Sequence, residues 1–523
     1  MNQEEIKALL KLSPFERALA KLSPKAATRR YQARVHFGLM AGGVELAAGG
    51  RKGTLAGWNP RQQTRYGEAR ERETVALRAM DLDSNDAYAH SLTDSMAVNT
   101  VGRGLLPQAQ PHAELLGLNP EQAREVADQA EWAWRTWAPT ADAAGRMSFE
   151  DIQLLNIRSV LVVGEYLTLP LMLKRPGRRY SLALQVLDPL RCRTPLDRGT
   201  DPKLRDGVDL GPLGEALAYW VADPADGKML PSLQANSFVR LPAWRGHRPG
   251  VLHGFPARGN EQIRGVSILA PMIKQFKDLG DYLDFELVGA IIAASFPVFV
   301  ETAAAQQAVA QLPFQEDYPE EHYQEVEPGQ IIYGKAGEKP HVLESKRPSG
   351  TAEVFMRTVL RAIGAGAGLP YEVVAKDFSQ TNYSSARAAL LEAWRTYTIY
   401  YHWLVGKLCQ PVWRMLWEEA WLRGDIKLPK GAPDFYAAPE AWTRAVWLRP
   451  PRGHVDPVKE TEAQILGLAN HILTRAEVVG EQGGDWEERA RQSAREQQLL
   501  GELGLATTPT LSPKSTGDAN AAQ

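Results

Sequence analysis

The apolar positions of the chain follow two alternating patterns, and each predicts its own kind of element. Spacings of three and four with a polar opposite face predict helices in "SNDAYAHSLTDSMAVNTVG", capped by Ser84 and stopped by Gly102, and in "PEQAREVADQAEWAWRTWA". Alternation of apolar and polar residues predicts strands in "YSLALQVLDPLRC" and "EALAYWVAD", and "SFEDIQLLNIRSVLVVGEYLTLPLML" passes from the first pattern into the second. Residues 76–265 therefore read as an α+β domain. Ahead of them, residues 1–75 read as a short helix and then a basic, Gly-rich arm. Its Arg29, Arg30, Arg34, Arg51, Lys52, Arg61 and Arg65 could touch nucleic acid or, more simply, lie on a neighbouring subunit.

Helical spacing then dominates. "RGVSILAPMIKQFKDLGDYLDFELVGAIIAAS" reads as one helix of about thirty residues, with Pro271 tolerated in its first turn. On it Leu279, Leu283, Leu287 and Ile291 recur at every fourth position beside Phe276, a stripe that asks to be buried. Residues 296–345 change character. "FPVFVE" and "QIIYGKAGEKPHVL" look like strands, separated by an acidic insert that holds Glu316, Asp317, Glu320, Glu321, Glu325 and Glu327. A small β module is thus hung between two helices, because "TAEVFMRTVLRAIGAGAG" within 346–368 is helical again.

A polar run over 369–383 comes next, containing Lys376, Asp377, Phe378, Ser379, Gln380, Thr381 and Asn382, and it leads into the longest predicted helix, 384–423. At 1.5 Å per residue that helix is about 60 Å long. Ala386, Leu390, Ala393, Tyr397, Tyr401, Leu404 and Leu408 keep its spacing, and Trp413, Trp417 and Trp421 continue it. Pro411 predicts a kink and Gly424 the stop. Residues 456–505 are charged and helical, whereas 506–523 have the composition of a disordered tail.

Composition narrows the function. At 523 residues, two to four domains are expected. Sixty Lys and Arg against 62 Asp and Glu leave a net charge of −2, so the surface as a whole is not built to grip phosphate. Cys192 and Cys409 are too few for a disulfide framework and read as buried small hydrophobes of a reducing compartment. The N-terminus lacks the apolar core of a signal peptide, and "LVGAIIAASFPVFV", about fourteen residues, is too short to span a bilayer. A soluble, intracellular protein is expected.

Candidate chemistry is sparse. The sequence has no G-x-x-x-x-G-K-[ST], no H-E-x-x-H and no G-x-S-x-G. "GAGAGLP" follows a helix and reads as a helix end and hinge. Ser384 and Ser385 have no evident base nearby and read as helix caps. The six acids of the insert lack the alternating spacing of a calcium loop and read as a solvated surface. No enzyme, metal or cofactor is expected. Two rival classes remain: a membrane-active pore former, suggested by the apolar run and the aromatic helix, and a metal-dependent nucleic-acid enzyme using the acidic insert.

The order of parts, together with "NTVGRGLLPQ", "VVGEYLTLP", "QIRGVSILAPMIKQFKDLGDYLDFEL", "EPGQIIYGKAGEKP" and above all "VLRAIGAGAGLPYEVVAKDFSQTNYSSARAALLEAWRTY", resembles the lambda-type portal proteins of tailed phages. "HVDPVKETEAQI" and "GGDWEERARQSAREQQLLGELGL" extend the resemblance to about residue 505. It implies a ring-forming portal fold: a wing over 76–265, a stem helix over 266–295, a clip over 296–345, a second stem helix over 346–368, a tunnel loop over 369–383, a long wing helix and return over 384–455, and a crown over 456–505. It further implies a closed ring of about twelve subunits at one capsid vertex. Double-stranded DNA would pass through its channel during packaging and ejection. Terminase and later a head-completion or adaptor protein would dock on the clip, with major capsid and scaffold proteins around the ring. The protein would belong to the virion, and to the host cytoplasm before assembly. Residues 376–382 would then face the channel, where a loop with few net charges lets a duplex slide. The stripe Phe276, Leu279, Leu283, Leu287 and Ile291 would pack between subunits.

Overall fold

The computed structural model describes residues 65–223, 237–294, 298–302, 338–342, 352–451 and 456–504. The chain divides into two units, Met1–Glu68 and Ala69–Gln523. The first enters the described residues only at the opening of the helix Arg65–Asn85. The arm residues Arg29 to Arg61, the acids Glu316 to Glu327 and the tail lie outside them.

Within the second unit the expected α+β mixture is present, and every named strand pair is antiparallel. Leu252–Gly254, Tyr166–Met172 and Leu182–Leu187 form one sheet in that order, and Leu204–Arg205, Val208–Leu210, Ala216–Ala222 and Phe238–Pro242 form another. Val298–Thr302 pairs with Glu338–Val342 in the segment expected to be a β module. Leu106–Ala109 pairs with Ala445–Leu448, so a strand from early in the second unit closes against one that follows the long helix.

Capping sets the helix starts. Asn119 and Ser148 each make a capping box, with Gln122 and Asp151, and begin Pro120–Trp137 and Phe149–Val162. Ser84 does not cap as expected. It lies inside Arg65–Asn85 and donates to the Met80 carbonyl at 2.8 Å. Asp86 caps Ala87–Val101 instead, accepting from the Ala89 amide, and Gly102 ends that helix at φ 57°.

One aromatic core joins the parts. Trp134 meets Phe149, Trp413 and Trp447 edge-on at ring separations of 4.9, 5.6 and 5.5 Å, and Trp417 stacks on Phe435 at 5.0 Å. Leu360 and Ile363 of the helix Ala352–Ala367 and Val373 and Val374 of Tyr371–Ala375 belong to the same cluster. Trp413 and Trp417 of the long helix therefore belong to the core of the second unit.

That helix is not continuous. Tyr383–Leu404 gives way to a π-helical turn at Val405–Cys409 before Gln410–Leu422. Pro411 falls in the opening turn of the last piece. It has no N–H for the carbonyl four residues back and its ring crowds that carbonyl, so the irregularity sits in the turn ahead of it. The helix expected from about residue 266 begins only at Ile273, and Pro271 precedes it. Its would-be first turns are committed elsewhere. The Gly265 amide donates to Glu165, the Ile268 amide to the Leu161 carbonyl at 3.1 Å, and the Leu269 amide to Ser267 Oγ.

Candidate functional site

The polar loop at the head of Tyr383–Leu404 is a built turn. Tyr371–Ala375, a short helix inside the segment expected to be all loop, ends at Lys376 with φ 53°. That left-handed conformation is uncommon for a non-glycine residue and turns the chain back. Asp377 then ties the turn together. One oxygen accepts from the Ser379 hydroxyl at 2.6 Å and the Ser379 amide at 3.0 Å, the other from the Tyr371 hydroxyl at 3.0 Å. The Ser379 hydroxyl and amide, then Tyr371, hold the Asp377 carboxyl below its usual range. Burial, and then Asp377, raise the Tyr371 phenol.

Thr381 donates its amide and hydroxyl to the Phe378 carbonyl at 3.2 and 2.9 Å. Asn382 is the N-cap of Tyr383–Leu404, accepting from the Ser385 amide at 2.9 Å. Ser384 is not the cap, since its hydroxyl only donates to Asn382 Oδ1. Among the described residues the Gln380 side chain makes no hydrogen bond, and it is exposed together with Phe378, Ser379 and Asn382. The turn is therefore rigid at its two ends and presents replaceable polar groups between them.

The charge balance differs from the sequence expectation. Lys376 and Asp377 do oppose each other, but the loop is backed by cations from another helix. Arg361 lies 5.9 Å from the centre of the Tyr371 ring, and Arg357 acts electrostatically on both Tyr371 and Asp377. Thr396 Oγ1 donates to the Gly368 carbonyl at 2.8 Å, tying the long helix to the end of Ala352–Ala367. That end is the expected glycine terminus, with Gly368 at φ 70°.

The apolar stripe on Ile273–Ala294 divides in two. Phe276 and Leu279 are buried in the aromatic core, whereas Leu283, Leu287 and Ile291 are 36, 61 and 58% exposed. Phe285 and Val288 beside them, and Val354 and Phe355 on Ala352–Ala367, are exposed as well. Tyr282 and Phe355 bring the two helices into ring contact at 4.8 Å.

A buried charge cluster was missed by sequence reasoning. Glu165 is fully buried and accepts from Arg264 at 2.5–3.0 Å, from Arg72 at 3.3 Å and from the Gly265 amide at 2.8 Å, with His253 Nε2 at 3.0 Å. Arg264 also reaches the carbonyls of Cys192, Pro189 and Asp206, and Arg72 pairs with Asp206 at 2.7 Å. Burial alone would raise the Glu165 carboxyl, but Arg264, His253 and Arg72 hold it well below the usual range. Two glycines let the chains approach here, as a Cβ on Gly265 would lie 2.0 Å from the Gly164 carbonyl oxygen. The only signal in the sequence is that Glu165 in "VVGEYLTLP" and Arg264 in "QIRGVS" interrupt apolar runs.

No cluster of three or more His, Cys, Asp or Glu that could hold a metal occurs among the described residues, and no helix there is long and apolar enough to cross a membrane.

The family model of phage portal proteins of the lambda family matches residues 51–400. The portal protein of Escherichia phage N15 is 24% identical over 487 residues, covering 88% of this chain and 91% of the relative. Portal protein B of Escherichia phage lambda is 23% identical, covering 87 and 89%, and the probable portal protein of Halomonas phage phiHAP-1 is 23% identical, covering 83 and 82%. Among solved structures, a chain of a native gene transfer agent virion is 12% identical, covering 74% of this chain and 95% of that one with a TM-score of 0.37. A chain from the neck of the native particle in C12 symmetry gives 12%, 76%, 91% and 0.39.

Proposed function

The chain belongs to the lambda family of phage portal proteins, and we propose that it acts as a closed homo-oligomeric ring of about twelve copies at one capsid vertex. Double-stranded DNA passes through the ring, with residues 376–382 lining its narrow part. Terminase, and after it a head-completion protein, docks on the segment 296–345, and capsid and scaffold proteins surround the wing. The protein is a virion component without catalytic residues of its own, made and assembled in the host cytoplasm.

The observation that carries this reading is the uncovered apolar strip on Ile273–Ala294 and Ala352–Ala367. Leu283, Phe285, Leu287, Val288, Ile291, Val354 and Phe355 stay exposed in the single chain although the same helices root in its core through Phe276, Leu279, Leu360 and Ile363. A patch of this kind calls for a covering surface, and a rotated second copy supplies one along the whole strip. Lipid suits it poorly, because Lys277, Asp281 and Asp284 interrupt the helix on its exposed sides. Purified full-length protein should show closed rings with an open centre in negative-stain views down the axis. Protein that stays monomeric at all concentrations would remove the reading.

A further inference from the structure

The C-terminal helix Trp486–Glu502 lies against Pro120–Trp137 without fully burying any of its own side chains. Charges hold it there. Arg124 pairs with Glu487 at 2.7 Å, Asp128 with Arg491 at 3.8 Å and Arg135 with Glu488 at 3.9 Å. Between these two helices and residues 108–111 lies a cleft of about 490 Å³, and Glu131 lines it. Glu131 accepts from the Ala109 amide at 2.9 Å and from Arg135 at 3.4 Å.

We propose that this face of Pro120–Trp137 is a reversible, proton-linked dock for the chain's own C-terminal helix, held by ion pairs beside the part-buried Trp486 and without a fully buried apolar face. The proposal does not depend on the portal reading. Ion pairs between exposed side chains are individually weak and are screened by salt, so the contact is poised to open. Once open, a polar helix of this length is marginal in water and frays.

The proton enters through Glu131. Around it stand Asp128 and Arg135 of its own helix, Arg124 one turn further back, the Ala109 amide, Asp485 at the head of the C-terminal helix, and Glu487, Glu488 and Arg491 on that helix. Asp485 is fixed by its capping bonds to the Glu487 and Glu488 amides. Burial first, and then Asp485 and Asp128, push the Glu131 carboxyl up to about 7, against the Ala109 amide and Arg135, which lower it. Lifting the helix away wets Glu131 and removes Asp485, returning the acid toward 4.5. The docked form therefore binds the extra proton. Docking is strongest at low pH, falls by at most about tenfold per unit as pH rises from about 5 to about 7, and levels off above that.

Hydrogen exchange over residues 486–502 of the full-length protein, corrected for intrinsic rates, reads this directly. Protection should fall several-fold between about 50 mM and about 0.5 M salt, and again between pH 5.5 and pH 7.5. Arg124→Glu should lower it at low salt, and adding Glu487→Arg should restore it. Glu131→Gln should keep the salt dependence and lose the pH dependence. Protection indifferent to salt and to Arg124→Glu overturns the charge-held dock. A pH dependence that survives in Glu131→Gln overturns the proton link.

Discussion

Asn382 and Gln380 sit two residues apart in the same turn but do different work. Asn382 satisfies the Ser385 amide at the helix start, whereas Gln380 faces outward without a partner among the described residues. Asn382→Ala should therefore cost about 1 kcal/mol of stability. Ser384→Ala and Gln380→Ala should each stay within about 0.5 kcal/mol, with Gln380→Ala visible only in the length of DNA packaged. Melting curves of the three variants beside a packaging assay separate cap from contact. Glu165 belongs to another class, since removing its charge leaves Arg264 buried without its main counter-ion. Glu165→Gln should lose about 3–5 kcal/mol in denaturant unfolding. The carboxyl is held low in the folded protein, so its contribution is present above the unfolded value near 4.5 and is lost as pH falls through the lower folded value. The acid-side slope of stability against pH should accordingly be shallower in Glu165→Gln, with Glu418 and Asp425, also held low, supplying part of what remains.

At the scale of the element, the helix Ile273–Ala294 has a root and a shaft. Leu279 is packed in the aromatic core, and four residues on Leu283 is part-exposed. Leu279→Asp should leave a destabilised, poorly soluble subunit, because it puts a charge among buried apolar groups. Leu283→Asp should leave a folded subunit that assembles into open or incomplete oligomers. Native mass spectrometry with circular dichroism distinguishes the outcomes, and closed rings at normal yield from Leu283→Asp would count against the shaft as an intersubunit surface. The root is fixed by the chain ahead of it. Gly265, Ile268 and Leu269 direct their amides to Glu165, the Leu161 carbonyl and Ser267 Oγ, which postpones the helix until Ile273.

At the scale of the whole molecule, the proposed partners would dock on the segment 296–345, between the helices Ile273–Ala294 and Ala352–Ala367. The acids Glu316, Asp317, Glu320, Glu321, Glu325 and Glu327 lie outside the described residues, and their role rests on chemistry. A partner that must bind and then be replaced is well served by charge, which tunes association rate and salt sensitivity. Neutralising four of the six should leave rings intact and weaken terminase-dependent packaging, most at low salt. Packaging that is unchanged across a salt series would exclude this role.

The amino-acid pattern alone determined the kind and order of the elements. Period-four stripes and alternating runs act over a few residues, so they are visible without a fold, and the family was legible in the same stretches. Where an element begins was decided by tertiary contacts. Ser84 looks like a cap until Arg65–Asn85 runs through it, and residues 266–272 look helical until Ile268 gives its amide to the Leu161 carbonyl and Leu269 gives its own to Ser267 Oγ. The division of the stripe at Leu279, the arginines behind the polar loop 376–382 and the Glu165–Arg264 cluster were likewise settled in three dimensions. The two partners of that cluster lie 99 positions apart in the chain. Periodicity reports which face a residue occupies; only the packed chain decides what covers that face, and which distant charge a buried carboxylate meets.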